Sequence, residues 1–281
     1  MSIQKKVCVV VGATSKWNTD GINTKLVYGN EKKLQPEDYN VGARFGVGGA
    51  IAQKFASEGF MVILTTRTET NATGLSNAIK EQGGSATIVQ LDLASEDSIK
   101  KAFENIRTNF GEPDIVVFNA GYIYGRDMPR GTELMEYVPT DMFDKAMDVA
   151  SRGPFLIAKE ILPKFRERGY GSLFFSNNNY GLRGKQRAPG MSVYFPRVMM
   201  RTIAQTLVEE YTKFGIHIAN ITIDGLIDSP GTRELPNAKK NPDIIINPMS
   251  IANAYWYLHS QDKSCFTHEL QLTPFPTKPS F

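Results

Sequence analysis

Hydrophobic positions along this chain fall into two alternating patterns. Short, nearly unbroken runs rich in β-branched residues recur as "VCVVV" from Val7, "MVILT" from Met61, "ATIVQL" from Ala86, "DIVVF" from Asp114, "SLFFS" from Ser172 and "HIANITI" from His217. Runs of that length, apolar at consecutive positions, suit strands covered on both faces. Between them lie stretches such as "EDSIKKAFENIRTNF" from Glu96, where apolar residues recur three and four apart among charged ones and so line one side of a helix. Strand and helix in alternation predict a parallel sheet with helices on both faces, an α/β fold of the doubly wound, three-layer αβα kind. At 281 residues the chain is long enough to bury a substantial core, and one domain over residues 1–281 is expected.

Two stretches break the rhythm. Lys16 to Phe45, polar and turn-rich ("NTDGINT", "QPEDYN"), separates the first strand from its helix, and Asp228 to Pro248 is rich in proline. Connections in such folds usually take about 2–6 residues, so both stretches are expected to be lids, interaction surfaces or disordered segments rather than neutral spacers.

Composition narrows the classes of function. The 32 basic and 29 acidic residues leave a net charge of +3 spread along the chain without a Lys/Arg block, so the expected partner is a small molecule rather than a nucleic acid or a membrane surface. Cys8 and Cys265 form no CxxC pair, and His217, His259 and His268 stand at no metal-ligand spacing with them, which argues against a disulfide framework or a metal site. The apolar run Val7 to Val11 is too short for a signal peptide core and no later stretch is long enough to span a bilayer, so the chain reads as cytoplasmic. The absence of a Gly-x-Ser-x-Gly turn disfavours a nucleophilic hydrolase.

Candidate chemistry begins where the first strand ends. "GATS" (Gly12, Thr14, Ser15) and, after the interruption, "GVGGAIAQKFASEG" (Gly46, Gly48) read together as Gly-x-x-x-Gly-x-Gly leading into a helix. Glycines of that kind let the backbone approach a pyrophosphate, while a helix N-terminus offers free N–H groups and a positive dipole end; a simple tight turn is the alternative. Further pieces follow in order: "LDL" with Asp92 and Leu93 after the third strand, "NAG" (Asn119, Ala120, Gly121) after the fourth, and "GIHIANITIDGLIDSP" after a long helical stretch.

That ordered set resembles the short-chain dehydrogenase/reductase family over nearly the whole chain. The resemblance implies a Rossmann-like fold in which Asp92 and Leu93 sit against an adenine, Asn119 to Gly121 support the cofactor cleft, and Ile227 to Ser229, with Ile227 and Ser229 as the named contacts, meet the nicotinamide amide. It also implies a homodimer or homotetramer built on the helices Thr140 to Arg168 and Val193 to Phe214. For each residue the alternative is a local structural role at a strand end or loop. Arg67, after the second strand, stands where an acidic residue would bind the ribose hydroxyls of NAD; a guanidinium there pairs with a 2′-phosphate, so NADP (NADPH) is favoured over NAD, unless Arg67 is only a solvated surface residue.

The catalytic half departs from the family's pattern of tyrosine, lysine, serine and asparagine. Ala150 stands at the asparagine's place and Asn178 at the serine's, with Ser176 two residues earlier. Counting back from Gly215 by the family's usual helix length puts Arg197 at the lysine position and Val193 at the tyrosine position, with Tyr194 one place late. The late stretch "FTHELQLTP" also resembles divergent bacterial members with phenylalanine at the tyrosine position. Tyr194, Arg197 and Arg201 are nonetheless spaced to share one helix face, and an arginine can lower a tyrosine's pKa and bind a ribose, though it cannot exchange a proton. Two functions remain open at this point. One is an NADP-dependent oxidoreductase moving a hydride between nicotinamide and a carbonyl or alcohol, with Tyr194 as acid/base, Arg197 as its electrostatic partner and Asn178 as carbonyl donor. The other is a catalytically impaired dinucleotide-binding protein acting as a sensor or assembly partner.

Overall fold

The structure is a computed structural model that describes residues 5–14, 45–122, 134–183, 196–233 and 235–280. Ser15, Tyr194 and all of the Lys16 to Phe45 stretch but Phe45 itself lie outside the described residues.

All six predicted strands form: β1 (Val7–Val11), β2 (Met61–Thr66), β3 (Ser85–Gln90), β4 (Ile115–Phe118), β5 (Gly171–Asn178) and β6 (Ile216–Ile223). Two short strands, β7 (Leu226–Ile227) and β8 (Ile245–Ile246), make a separate parallel pair, and β9 (Glu269–Leu272) adds a seventh strand to the main sheet. Its order is β3-β2-β1-β4-β5-β6-β9, parallel throughout. Leu270 and Leu272 of β9 pack on the core, and Glu269 and Gln271 alternate with them. An edge strand can afford that pattern because only one of its faces must be apolar.

Strand alternation divides the interior in two. Cys8 and Val10 face a core completed by α1 (Gly46–Ser57), α2 (Thr70–Glu81) and α9 (Pro248–His259), through residues such as Ile51, Phe55, Leu75 and Tyr255. Val7, Val9 and Val11 face the other, completed by α3 (Glu96–Phe110), α5 (Gly153–Arg168) and α6 (Pro196–Tyr211). This is the three-layer, Rossmann-like arrangement the hydrophobic pattern predicts. Helix α3 shows how directly the sequence builds an element. Ser95 caps its N-terminus by accepting from Ser98 N–H, Glu96 and Asp97 meet the positive dipole end, and Ile99, Ala102, Phe103 and Ile106 form the buried stripe.

The predicted helix Thr140 to Arg168 is interrupted: α4 (Thr140–Met147) passes through a π turn, Asp148–Arg152, before α5. The predicted helix Val193 to Phe214 is seen from Pro196, whose missing N–H costs nothing in a first turn, to Tyr211, followed by a 3-10 turn, Thr212–Phe214. The described part of Asp228 to Pro248 is folded chain. It holds α7 (Pro230–Arg233), α8 (Pro236–Lys240) and a 3-10 turn before β8 pairs with β7, and Asp228 receives two hydrogen bonds from Arg233, at 2.6 and 2.8 Å.

Candidate active site

In a doubly wound sheet a ligand crevice opens outside the carboxyl ends of the strands where the winding direction reverses. Here that point lies between β1 and β4, since β2 and β3 extend one way from β1 and β4, β5 and β6 the other. Gly12 follows β1 with φ +82°, and Asn119 follows β4. The Asn119 side chain donates from Nδ2 to the Gly12 carbonyl at 2.9 Å, joining the two strand ends. A Cβ on Gly12 would lie 2.6 Å from Ala120 Cα, and one on Gly48 would lie 2.6 Å from the Gly12 carbonyl oxygen. The backbones of Gly12, Gly48 and Ala120 and the Asn119 side-chain amide are therefore packed so closely that neither glycine has room for a Cβ.

Helix α1 starts at Gly46, φ +67°, against this turn. Phe45 gives it no side-chain cap and its first turn holds no acidic residue, so among the described residues neither an N-cap side-chain oxygen nor a first-turn carboxylate competes for its leading N–H groups. A cradle of bare backbone with the positive end of a helix beside it fits a dinucleotide's diphosphate. Thr14 is half-buried next to it.

At the β2 and β3 ends, Arg67 is exposed and its carbonyl accepts from Gln90 Nε2 at 2.9 Å. Asp92 is exposed and shapes the turn into α3: its N–H donates to Ser98 Oγ at 3.0 Å and its Oδ1 accepts from Ala94 N–H at 3.1 Å. Leu93 is buried in the core, and a Cβ on Gly153 would come 3.3 Å from its Cδ2, so its side chain has a packing job. After β6, the Ile227 carbonyl accepts from Thr232 Oγ1 at 2.7 Å, and Ser229 Oγ accepts from Thr232 N–H at 3.2 Å, which starts α7.

In the first turn of α6, Arg197 donates from Nη1 to the Ser176 carbonyl at 3.1 Å, and its Nη2 lies where a Cβ on Gly121 would be only 2.5 Å away. The guanidinium is thus laid across the ends of β4 and β5, and Gly121 is the residue that leaves room for it. Arg201, one turn further along, is turned to Glu269 instead, with Nε 3.0 Å from Oε1.

Alternation along β5 separates its polar residues. Ser176 points to the α9 side, where its hydroxyl is 2.7 Å from the buried Tyr255 hydroxyl, while Asn177 points to the α6 side. Burial pushes the Tyr255 phenol well up, so it is a neutral structural partner. Asn178 ends the strand: its Oδ1 accepts from Tyr180 N–H at 3.1 Å, which leaves its amide N–H groups as the end able to meet an acceptor. Tyr180 is half-buried, and desolvation raises its phenol's pKa as well. Ala150 is buried within the π turn, and the neighbouring Ser151 donates to the Pro196 carbonyl at 3.1 Å, pinning the turn to the start of α6. Neither Ser151 nor Asn177 matches a motif in the sequence, and only the packing of α6 on the sheet marks them. Among the described residues no helix is long and apolar enough to cross a membrane.

Residues 40–240 match the short chain dehydrogenase family, and the chain belongs to that family of oxidoreductases. The chain is similar to the uncharacterized oxidoreductase YxbG of Bacillus subtilis, 31% identical over 195 residues that make up 69% of this chain and 66% of that protein. The match thus spans just under two thirds of that relative's length. In fold it resembles a metagenomic short-chain oxidoreductase solved in complex with NADP, with a TM-score of 0.70 and 20% identity over 98% of this chain and 99% of that one. It likewise resembles the alcohol dehydrogenase of the archaeon Thermococcus sibiricus complexed with 5-hydroxy-NADP, with a TM-score of 0.73 and 20% identity over the same shares.

Proposed function

We propose that the chain is an NADP-dependent oxidoreductase that transfers a hydride between the nicotinamide and a carbonyl or alcohol substrate. The observation that carries this reading is the Arg197 guanidinium lying against Gly121 beside the strand ends. A permanent positive charge there supports reading Arg197 as the stand-in for the family's lysine, one residue before the place a Tyr-x-x-x-Lys spacing from Tyr194 suggests. When bound, the cofactor would supply the hydride as NADPH for carbonyl reduction, or accept it as NADP+ for alcohol oxidation. The chain's own work is to hold and polarise. Gly12, Gly46 and Gly48, with the leading N–H groups of α1, receive the diphosphate, and Arg67 pairs with the 2′-phosphate. Arg197 binds the nicotinamide ribose and lowers the pKa of the Tyr194 phenol, which gives or takes the proton at the substrate oxygen. The Asn178 amide donates to the same oxygen. Because a guanidinium keeps its protons, Arg197 acts by charge and position alone, and the phenol is reprotonated from solvent.

The two NADP-bound structures of similar fold support the choice of cofactor, and assembly as a homodimer or homotetramer through α5 and α6 fits exposed Phe155 and Met199 on those helices. A fluorescence titration with NADPH, followed by a screen of aldehydes and ketones with NADPH consumption as the readout, tests the reading. Micromolar NADPH binding with turnover that Arg197→Met abolishes is the expected result. Tight NADPH binding with no turnover of any carbonyl would favour a binding protein, and no binding of either cofactor would refute both.

A further inference from the structure

We propose that Asn177 and Glu269 are positioning residues for Arg197, joined through Asn220 in a hydrogen-bonded line that clamps the first turns of α6 to the sheet. The line rests on the reading of Arg197 given above, and no sequence motif singles out Asn177, Asn220 or Glu269.

On the α6 side of β5 and β6, the early positions are apolar: Leu173 and Phe175 on one strand, Ile216 and Ile218 on the other. The same face then turns to amides, Asn177 and Asn220, both almost wholly buried at 2% and 1% exposure. Apolar side chains would cover α6 at no desolvation cost, so packing alone does not call for amides there. Their hydrogen bonds account for them. Asn177 Nδ2 donates to the Arg197 carbonyl and to Asn220 Oδ1, each at 3.1 Å, and its Oδ1 accepts from Asn178 N–H at 2.9 Å. Asn220 Nδ2 donates to Glu269 Oε2 at 3.0 Å and to Thr222 Oγ1 at 3.4 Å. Glu269 Oε1 in turn accepts from Arg201 Nε at 3.0 Å and from Gln205 Nε2 at 3.4 Å.

The line therefore leaves α6 at the carbonyl of residue 197 and returns to it at the side chains of residues 201 and 205, one turn and two turns on, along a single helix face. Three strands, β5, β6 and β9, are tied into it. The turn after β5 is shaped around its inner end, since a Cβ on Gly181 would come 2.5 Å from the Asn177 amide. The guanidinium of Arg197 is held by the Ser176 carbonyl, and its backbone by Asn177, one residue along the same strand. Between these two anchors the side chain lies against Gly121.

The test is a thermodynamic cycle on NADPH affinity, with thermal melting as the check on folding. Arg197→Met, Asn177→Ala and Glu269→Ala are each titrated with NADPH, singly and with Arg197→Met as the shared background. The expected result is a loss of about three- to tenfold for Asn177→Ala and for Glu269→Ala in the native background, and no further loss once Arg197 is methionine. Equal losses in both backgrounds would overturn positioning in favour of a general structural effect. Unchanged affinity in both Asn177→Ala and Glu269→Ala, beside a weakened Arg197→Met, would overturn it while leaving the role of Arg197 standing. Full affinity in Arg197→Met would overturn both. Should Asn177→Ala fail to fold, Glu269→Ala, at the exposed end of the line, decides by the same comparison.

Discussion

Ser176 and Tyr255 share a hydroxyl–hydroxyl hydrogen bond of 2.7 Å inside the α9 side of the sheet, facing away from the Asn178 end of the cleft. Although Ser176 is the strand's only serine near the site, its side chain serves the core. Ser176→Ala should cost about 1–2 kcal/mol of stability by stranding a buried phenol, and should leave NADPH affinity unchanged. Asn178→Ala should do the reverse, lowering turnover with a smaller change in stability. Urea unfolding beside steady-state kinetics separates the two, and a catalytic defect in Ser176→Ala would show the assignment to be wrong.

Gly48 is a position where one added methyl group should disturb cofactor binding. Its Cβ would lie 2.6 Å from the Gly12 carbonyl and 2.7 Å from Asn119 Nδ2. Gly48→Ala should push α1 from the glycine turn and weaken NADPH binding by about tenfold or more, equivalent to roughly 1.4 kcal/mol. Gly59→Ala, where no atom lies within 4 Å of the added carbon, is a control for cofactor affinity. Equal affinity in native protein and Gly48→Ala would remove the glycine turn from the cofactor site.

Cofactor choice should rest on Arg67, exposed at the end of β2. NADPH should bind more tightly than NADH, and Arg67→Asp should reverse the order by removing a charge-assisted pair worth about 1.5–3 kcal/mol. Parallel fluorescence titrations measure it. Equal affinity for the two cofactors in the native protein would show that Arg67 does not read the phosphate.

Acid should weaken the fold through two imidazoles, the buried His217 and the partly buried His259. Burial, with Lys6 and His217 adding to it, pushes His259 down to about 4, and burial also lowers His217. A folded-state value below the ordinary one means the unfolded chain binds the proton more tightly. The stability tied to neutral His259 is complete above about pH 6.5 and is lost as pH falls toward 4, by roughly 2 kcal/mol. Urea midpoints measured between pH 7.5 and 4.5 should fall, and His259→Gln should flatten the fall. An unchanged slope in that variant would mean that other groups carry the acid sensitivity.

Tyr194→Phe should cut any carbonyl reduction by roughly 10²-fold or more while leaving NADPH affinity nearly unchanged. Arg197→Met should lower both. Full turnover in Tyr194→Phe would move the acid elsewhere, with Tyr180, which begins two residues after Asn178, the next to test.

Local pattern was enough for much of this protein. Apolar runs marked six of the seven strands of the main sheet, because a strand buried on both faces has no polar alternation to hide it, and the capped, striped α3 could be read residue by residue. The glycine turn and the Asn119 to Gly121 segment were legible too, since each depends on spacing within a short stretch.

What the tertiary structure decided lies between stretches. Strand β9 reads poorly in sequence because an edge strand needs only Leu270 and Leu272 on one face, and it becomes a strand by pairing with β6. The folding of Asp228 to Pro248 depends on β8 finding β7, and on Arg233 reaching Asp228. Asn177 meets Asn220 across 43 residues of chain, and Gly121 meets Arg197 across a longer gap, only because the sheet order sets β5 between β4 and β6. Periodicity tells each side chain which face of its own element it occupies. Which residue of another element waits on that face is set by strand order and register, and those are fixed by the packing of the whole chain.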